Sequence, residues 1–283
     1  MIKTAKQLKD KTRNLSGGNS NKAQTLIRNY MMERFLERVT LSMYRNNFIL
    51  KGGMLVAAMV GLETRATMDI DTSIKALPLN PNSTRAIIEE ILAVEINDGV
   101  NFSISKEDII MGEHDYPGLR YILNAKLERM QEIIKIDIST EDVITPAAIE
   151  YSYKLMFEDR HISLWTYNLE TVLGEKLETM MARGTANTRM RDFYDVFVLY
   201  RQERDTLSVE NLAAALKATS AKRNTTPLLP DLAFILQEVR ESPDMQKSWE
   251  SYKRNNFYVE ELSWNDVMQT VIELAHLLVL YKK

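Results

Sequence analysis

Two aspartates flank a single isoleucine in Asp69-Ile70-Asp71, downstream of a diglycine, Gly52-Gly53, that follows the apolar run Phe48-Ile49-Leu50 and Lys51. Residues two apart on an extended strand point to the same side, so this triplet demands one wet face bearing both carboxylates and one buried face bearing Ile70. Arg65 and Thr67 continue the same alternation. They predict a strand over 66–74 with four polar groups on one face and Ala66, Met68 and Ile70 on the other. Four aligned polar groups need water, partners or a ligand. Two carboxylates suit Mg2+ or Mn2+, hard cations taken by one or two acids together with substrate phosphates. The diglycine lets backbone amides approach an anion closely, and a helix starting near Met54 adds its positive end. Alone, a DxD or a Gly-Gly is a common solvated strand end or loop.

A third acid lies on the β-branched run Ile133-Ile134-Lys135-Ile136-Asp137-Ile138-Ser139, a strand by composition, preceded by another candidate strand over 119–127. An acid among isoleucines requires a partner. Asp137 either pairs with Lys135 or Arg65, or serves as a third metal ligand or as the base that deprotonates an attacking hydroxyl.

Further on, Asn168 is a candidate N-cap for a helix that carries Leu169, Val172, Leu173, Leu177, Met180 and Met181 inward and stops at Gly184. Lys176 lies at the edge of that stripe, where a lysine commonly snorkels or pairs with a nearby glutamate. A second helix carries Phe193, Val196, Phe197 and Tyr200 inward. Asp192 and Asp195 share its side, with Asp195 expected to hold Arg189 or Arg191.

The segments LKGGMLVAAMVGLETRATMDID, KIDIS and ETVLGEKLETMMARGTANTRMRDFYDVFVLY together resemble the AbiEii toxin family of nucleotidyltransferases, a branch of the DNA polymerase β-like superfamily that includes the MenT toxins. The shared pattern is a diglycine after an apolar strand, a DxD, a lone acid on a later strand, a Lys on one helix and Arg-Asp near the start of the next, here Lys176 and Arg191-Asp192. The resemblance implies an α+β fold, with a polymerase β-like lobe built on a mixed sheet and a helical lobe behind it. It implies transfer of NMP from an NTP, with Asp69, Asp71 and Asp137 binding metal and Lys51, Gly52, Gly53, Arg65, Thr67 and Lys176 gripping the nucleotide. Asp192 is expected to orient Lys176 or a basic neighbour rather than bind metal. Met54 departs from the family, which usually has Ser or Thr after the diglycine. The resemblance also implies tRNA as acceptor, and a toxin of a toxin–antitoxin pair used in phage defence with its antitoxin encoded nearby. Transfer to a protein or small molecule, and GTP or NTP binding without turnover, are the other readings.

At 283 residues, 45% hydrophobic and 27% charged, the chain has the composition of a soluble globule large enough for two lobes. These are expected at 1–145, an α/β lobe, and 146–283, helical throughout and completing the active site. No apolar stretch reaches membrane length and the N-terminus lacks a signal-peptide core, so the expected compartment is the cytoplasm. With no cysteine, thiol chemistry is excluded. His114, His161 and His276 form no metal motif. A net charge of −3 argues against indiscriminate nucleic-acid binding. A nucleic-acid acceptor then requires a local patch, Arg183, Arg189 and Arg191 or Lys217, Lys222 and Arg223, either of which is equally readable as a solvated loop. The polar lead over 1–21 reads as a loose arm, followed by helices over 23–44 and 83–96. Strands are expected near 47–51, 101–105 and 132–139.

Overall fold

Thr4 and Gln7 form a capping box, Thr4 Oγ1 accepting the Gln7 N–H and the Gln7 side chain accepting the Thr4 N–H. They open a helix in what sequence reading took for a loose arm. This helix, α1 (Ala5–Ser16), buries Leu8, Thr12 and Ser16 at four-residue intervals and stops at Gly17, whose left-handed φ of 59° favours glycine. The computed structural model describes residues 1–61, 65–111, 117–140, 142–259 and 261–281, with the side chains of all of these except 111, 117 and 279–281. His114 lies outside the described residues.

After α1 come α2 (Ser20–Leu41), β1 (Phe48–Lys51), α3 (Gly52–Val60), β2 (Asp69–Ile74) and α4 (Pro81–Leu92). Three long strands follow, β3 (Val100–Met111), β4 (Pro117–Leu127) and β5 (Met130–Thr140), then the short β6 (Ile149–Lys154) and β7 (His161–Thr166). The remainder is helical: α5 (Leu169–Arg183), α6 (Met190–Glu203), α7 (Val209–Lys222), α8 (Leu232–Glu241), α9 (Pro243–Asn255) and α10 (Trp264–Tyr281). The strands form one mixed sheet in the order β3-β4-β5-β2-β1-β7-β6. β2 runs parallel to β5 and β1 to β7, while the other neighbours are antiparallel. The architecture is α+β.

Two compact units divide the chain. A sheet unit holds Met1–Ala58, Arg65–Asp142 and Ile149–Thr166; a helical unit holds Met59–Thr64, Val143–Ala148 and Tyr167–Lys283. The segment from 146, expected to be helical throughout, therefore contributes β6 and β7 to the sheet. Each is six residues long with a strand-like alternation that the helical reading passed over, and β7 joins the sheet by parallel pairing of Ile49 with Trp165 and Leu50 with Thr166.

Within the sheet unit, β5 alternates as its sequence demands: Ile134, Ile136 and Ile138 are fully buried, while Ile133 and Lys135 are exposed. The buried face is covered by helices, α2 packing against β5 and α4 against β3. α2 buries the expected Leu26, Ile27, Tyr30, Met31 and Phe35, but also Glu33, Arg34, Glu37 and Arg38. Buried charges need partners, and Arg38 has Asp98 in a bidentate pair at 2.8 and 3.1 Å and the Val100 carbonyl at 2.8 Å. Arg34 bridges Glu37 and Glu158. Glu33 receives the Met156 N–H at 3.1 Å, yet burial pushes its carboxyl up to about 8.

In the helical unit, Asn168 caps α5 by accepting the Thr171 N–H at 2.7 Å, and its amide donates to the Thr145 and Ala147 carbonyls. Gly184 ends the helix as expected. Gly174 permits close approach of α7: a Cβ there would lie 3.0 Å from the Leu216 nitrogen. Trp249 stacks obliquely on Trp264, which meets Phe193 edge-on, and both indole N–H groups find carbonyls, those of Leu262 and Arg240.

Candidate active site

β2 begins at Asp69, later than the strand expected from 66, and Met68 is 53% exposed rather than in the core. Arg65 and Thr67 are nevertheless buried, beside the diglycine. A Cβ on Gly53 would stand 2.7 Å from Thr67 Oγ1 and 3.4 Å from an Arg65 Nη atom. Gly52, at φ +65°, has even less room: its Cβ would lie 2.1 Å from Asp71 Oδ2. The diglycine was expected to make space for a phosphate. In the structure the space it leaves is filled by the Asp71 carboxylate and Thr67. Thr67 in turn donates to the Asp69 carbonyl at 3.2 Å. Met54 points into the core, 1% exposed, so the residue after the diglycine is here a packing residue.

Strand register assembles the rest. Lys51 on β1 pairs with Asp71 on β2, Asp71 with Asp137 on β5, and Asp137 with Arg120 on β4. Side chains opposite one another in a sheet share a face, so one row reads Lys51, Asp71, Asp137, Arg120. Asp69 stands two residues along on the same face, opposite Lys135. The outer cations are tethered. Lys51 Nζ lies 2.6 Å from Asp142, which also accepts from Ser139 Oγ at 2.6 Å.

Arg120 grips Asp137 with two hydrogen bonds, Nε to Oδ1 at 2.7 Å and an Nη atom to Oδ2 at 2.6 Å. Asp137 is therefore paired, with neither Lys135 nor Arg65 but with a residue that sequence reading did not single out. Those hydrogen bonds hold the guanidinium more firmly protonated than usual, and the nearby charges of Asp69 and Asp71 push the same way.

The donor chemistry fits a hard divalent cation at Asp69 and Asp71, two oxygen ligands on one strand face. Asp137 lies in register beside them with both oxygens engaged by Arg120. Among the described residues no group of three His, Cys, Asp or Glu side chains stands at ion-holding distance.

The helical unit gathers a different cluster. Lys176 on α5 places its ammonium 2.8 Å from Asp192 Oδ1 and 2.7 Å from Asp195 Oδ2, both on α6. Asp195 thus binds Lys176, a partner not anticipated from the sequence. The spacing of three on α6 aims both acids at one point. Burial alone would lower the lysine pKa; the two carboxylates outweigh it and raise it. Of the expected basic patches, Arg223 is committed to Glu175, Glu178 and Thr179 within this unit. The segment around it, over 218–224, is mostly the end of α7. Arg191 and Lys217 are exposed, as are His161 and His276.

No helix among the described residues is long and apolar enough to cross a membrane. A structure of JHP933 from Helicobacter pylori resembles the chain with a TM-score of 0.54 at 15% identity, covering 91% of each chain. A second H. pylori structure, described as a candidate nucleotidyltransferase, gives 0.53 at 14% identity, over 91% of this chain and 94% of that one. At such identity these likenesses show the fold. A search among curated proteins finds no match to the chain. The family model for the nucleotidyl transferase AbiEii toxin of type IV toxin–antitoxin systems matches residues 34–270. The chain belongs to the AbiEii family and is a nucleotidyltransferase of the toxin–antitoxin type.

Proposed function

We propose that the chain transfers a nucleoside monophosphate from an NTP to a tRNA in a reaction that requires Mg2+, with Mn2+ as a substitute, and that it arrests growth as the toxin countered by an antitoxin encoded nearby. The observation that carries the chemistry is the register of Asp71 with Asp137, with Asp69 on the same face and Gly52 pressed against Asp71. In this reading the acceptor hydroxyl oxygen attacks the α-phosphorus, the bond to the β-phosphate oxygen breaks, and pyrophosphate leaves. A bound divalent cation supplies charge stabilisation at the α-phosphate and leaving group. Asp69 and Asp71 hold it. Asp137 completes the ligand set or takes the hydroxyl proton, in competition with the Arg120 guanidinium that holds both of its oxygens.

The amides of Gly52 and Gly53 at the start of α3, together with Lys51, Arg65 and Thr67, face the nucleotide phosphates. Lys176 is a further phosphate contact and Asp192 orients it, the 2.8 Å contact between them supporting the second role. The tRNA acceptor, use in phage defence and a cytoplasmic setting rest on the family, not on the site.

Incubating the purified chain with each α-labelled NTP, with and without tRNA, tests this. Label on tRNA that vanishes with Asp69→Asn supports the reading. Label on protein would move the acceptor to a side chain. Nucleotide bound without pyrophosphate release would leave a nucleotide-binding regulator.

A further inference from the structure

Arg120 closes the charged row at the β4 end, and its fork meets the Asp137 carboxylate with two short, parallel hydrogen bonds of 2.7 and 2.6 Å. Such a bidentate pair takes one in-plane lone pair of each oxygen, the pairs that a hard cation held by both oxygens would use. The pairing has an evident cause. Register sets Asp71 and Asp137 side by side on neighbouring strands, where like charges repel, and Arg120 offsets that repulsion. The guanidinium is also within reach of solvent: its side chain is 35% exposed, twice the 17% of Asp137.

We propose that Arg120 is a positioning residue that competes with the divalent cation for Asp137, holding the acid until the cation displaces the guanidinium from at least one oxygen. Arg120 thereby sets how tightly the acid row takes its metal. This rests on the reading of Asp69, Asp71 and Asp137 as cation ligands.

The test is an EPR-monitored titration of Mn2+ into the full chain and into Arg120→Gln, Arg120→Lys, Lys51→Gln and Asp69→Asn, each checked for fold by circular dichroism. Arg120→Gln removes the competitor and should tighten Mn2+ binding roughly tenfold. Arg120→Lys keeps the charge without the fork and should fall between it and the wild type. Lys51→Gln removes the same charge at the other end of the row, across Asp71 from Asp137, and should shift affinity by less than about threefold.

Mn2+ affinity that is unchanged or weaker in Arg120→Gln overturns the proposal, as does equal tightening in Lys51→Gln, which would reduce Arg120 to a background charge. If Arg120→Gln does not fold, Arg120→Lys must still bind Mn2+ more tightly than the wild type, and equal affinity overturns it. Asp69→Asn separates the two ideas. Loss of Mn2+ there with wild-type affinity in Arg120→Gln sinks the role of Arg120 alone, whereas wild-type affinity in Asp69→Asn sinks the metal-site reading and the proposal with it.

Discussion

The sheet unit and the helical unit each gather acids around a cation, and they do it by opposite means. In the sheet, Lys51, Asp71, Asp137 and Arg120 come from four strands and are aligned by register alone, with the acids part-exposed and like charges side by side. In the helical unit, Lys176 sits between Asp192 and Asp195, which are three residues apart on one helix, and the group is buried. The first cluster sets two acids side by side, a repulsion that Arg120 offsets and that a bound cation would relieve further. The second is internally paired and therefore built to hold a geometry. A buried pair loses heavily when one partner goes, while an exposed acid among like charges loses nothing in stability and can even gain.

That contrast fixes what each substitution should do. Asp69→Asn and Asp71→Asn should cut nucleotide transfer by roughly 10^2 to 10^3-fold, the equivalent of several kcal/mol of charge stabilisation, while urea melts move by less than about 0.5 kcal/mol. Transfer that survives in both would remove the acid row from the chemistry. Lys176→Met should behave in reverse, stranding two buried carboxylates and lowering stability by about 3 to 5 kcal/mol. A urea melt within 1 kcal/mol of the wild type, as an order of magnitude, would contradict the buried, paired character of this cluster.

Gly52→Ala sharpens the comparison at the diglycine. A side chain at φ +65°, with its Cβ 2.1 Å from Asp71 Oδ2, should cost about 2 kcal/mol and displace the acid. Transfer should fall at least tenfold, as an order of magnitude. An alanine variant as stable and as active as the wild type would show that Asp71 need not stand where it does.

Glu33 supplies the pH dependence of the sheet unit. Burial raises its carboxyl from the ordinary 4.5 to about 8, so between those values the folded chain carries a proton that the unfolded chain has lost. Its contribution to stability is complete below about 4.5 and declines as pH rises towards about 8, at up to ~1.4 kcal/mol per pH unit. Glu33→Gln should flatten that decline in urea melts taken across the same range. A wild-type stability that rises with pH there, with Glu33→Gln showing the same slope, would reverse the sign assigned to this group.

Local pattern made much of the fold legible. The alternation in β5, the Asn168 and Gly184 boundaries of α5 and the diglycine next to the DxD all follow from residues near one another in sequence. What escaped was set by pairing between distant segments. Nothing around Leu119-Arg120-Tyr121 says which acid Arg120 will meet, because antiparallel register with β5 decides it. Lys51 and Asp142 are joined in the same way. β6 and β7 reach the sheet through the parallel pairing of β7 with β1 and the antiparallel pairing of β6 with β7. α1 was missed despite a local signal, the Thr4 and Gln7 capping box, because the segment AKQLKDKTRNLS is polar overall, with Leu8 and Leu15 its large apolar residues. The contact of Asp195 with Lys176 also went unread, because it depends on the helix face that Asp195 shares with Asp192.

Calorimetric titration of Mg2+ with NTP into Asp69→Asn and Asp192→Asn, run in parallel, sets the two clusters against each other most directly. The account predicts that metal binding is lost from Asp69→Asn and kept by Asp192→Asn, with transfer impaired in both. Metal binding kept by Asp69→Asn and lost from Asp192→Asn would contradict it, placing the cation in the helical unit and leaving the acid row of the sheet without its assigned role.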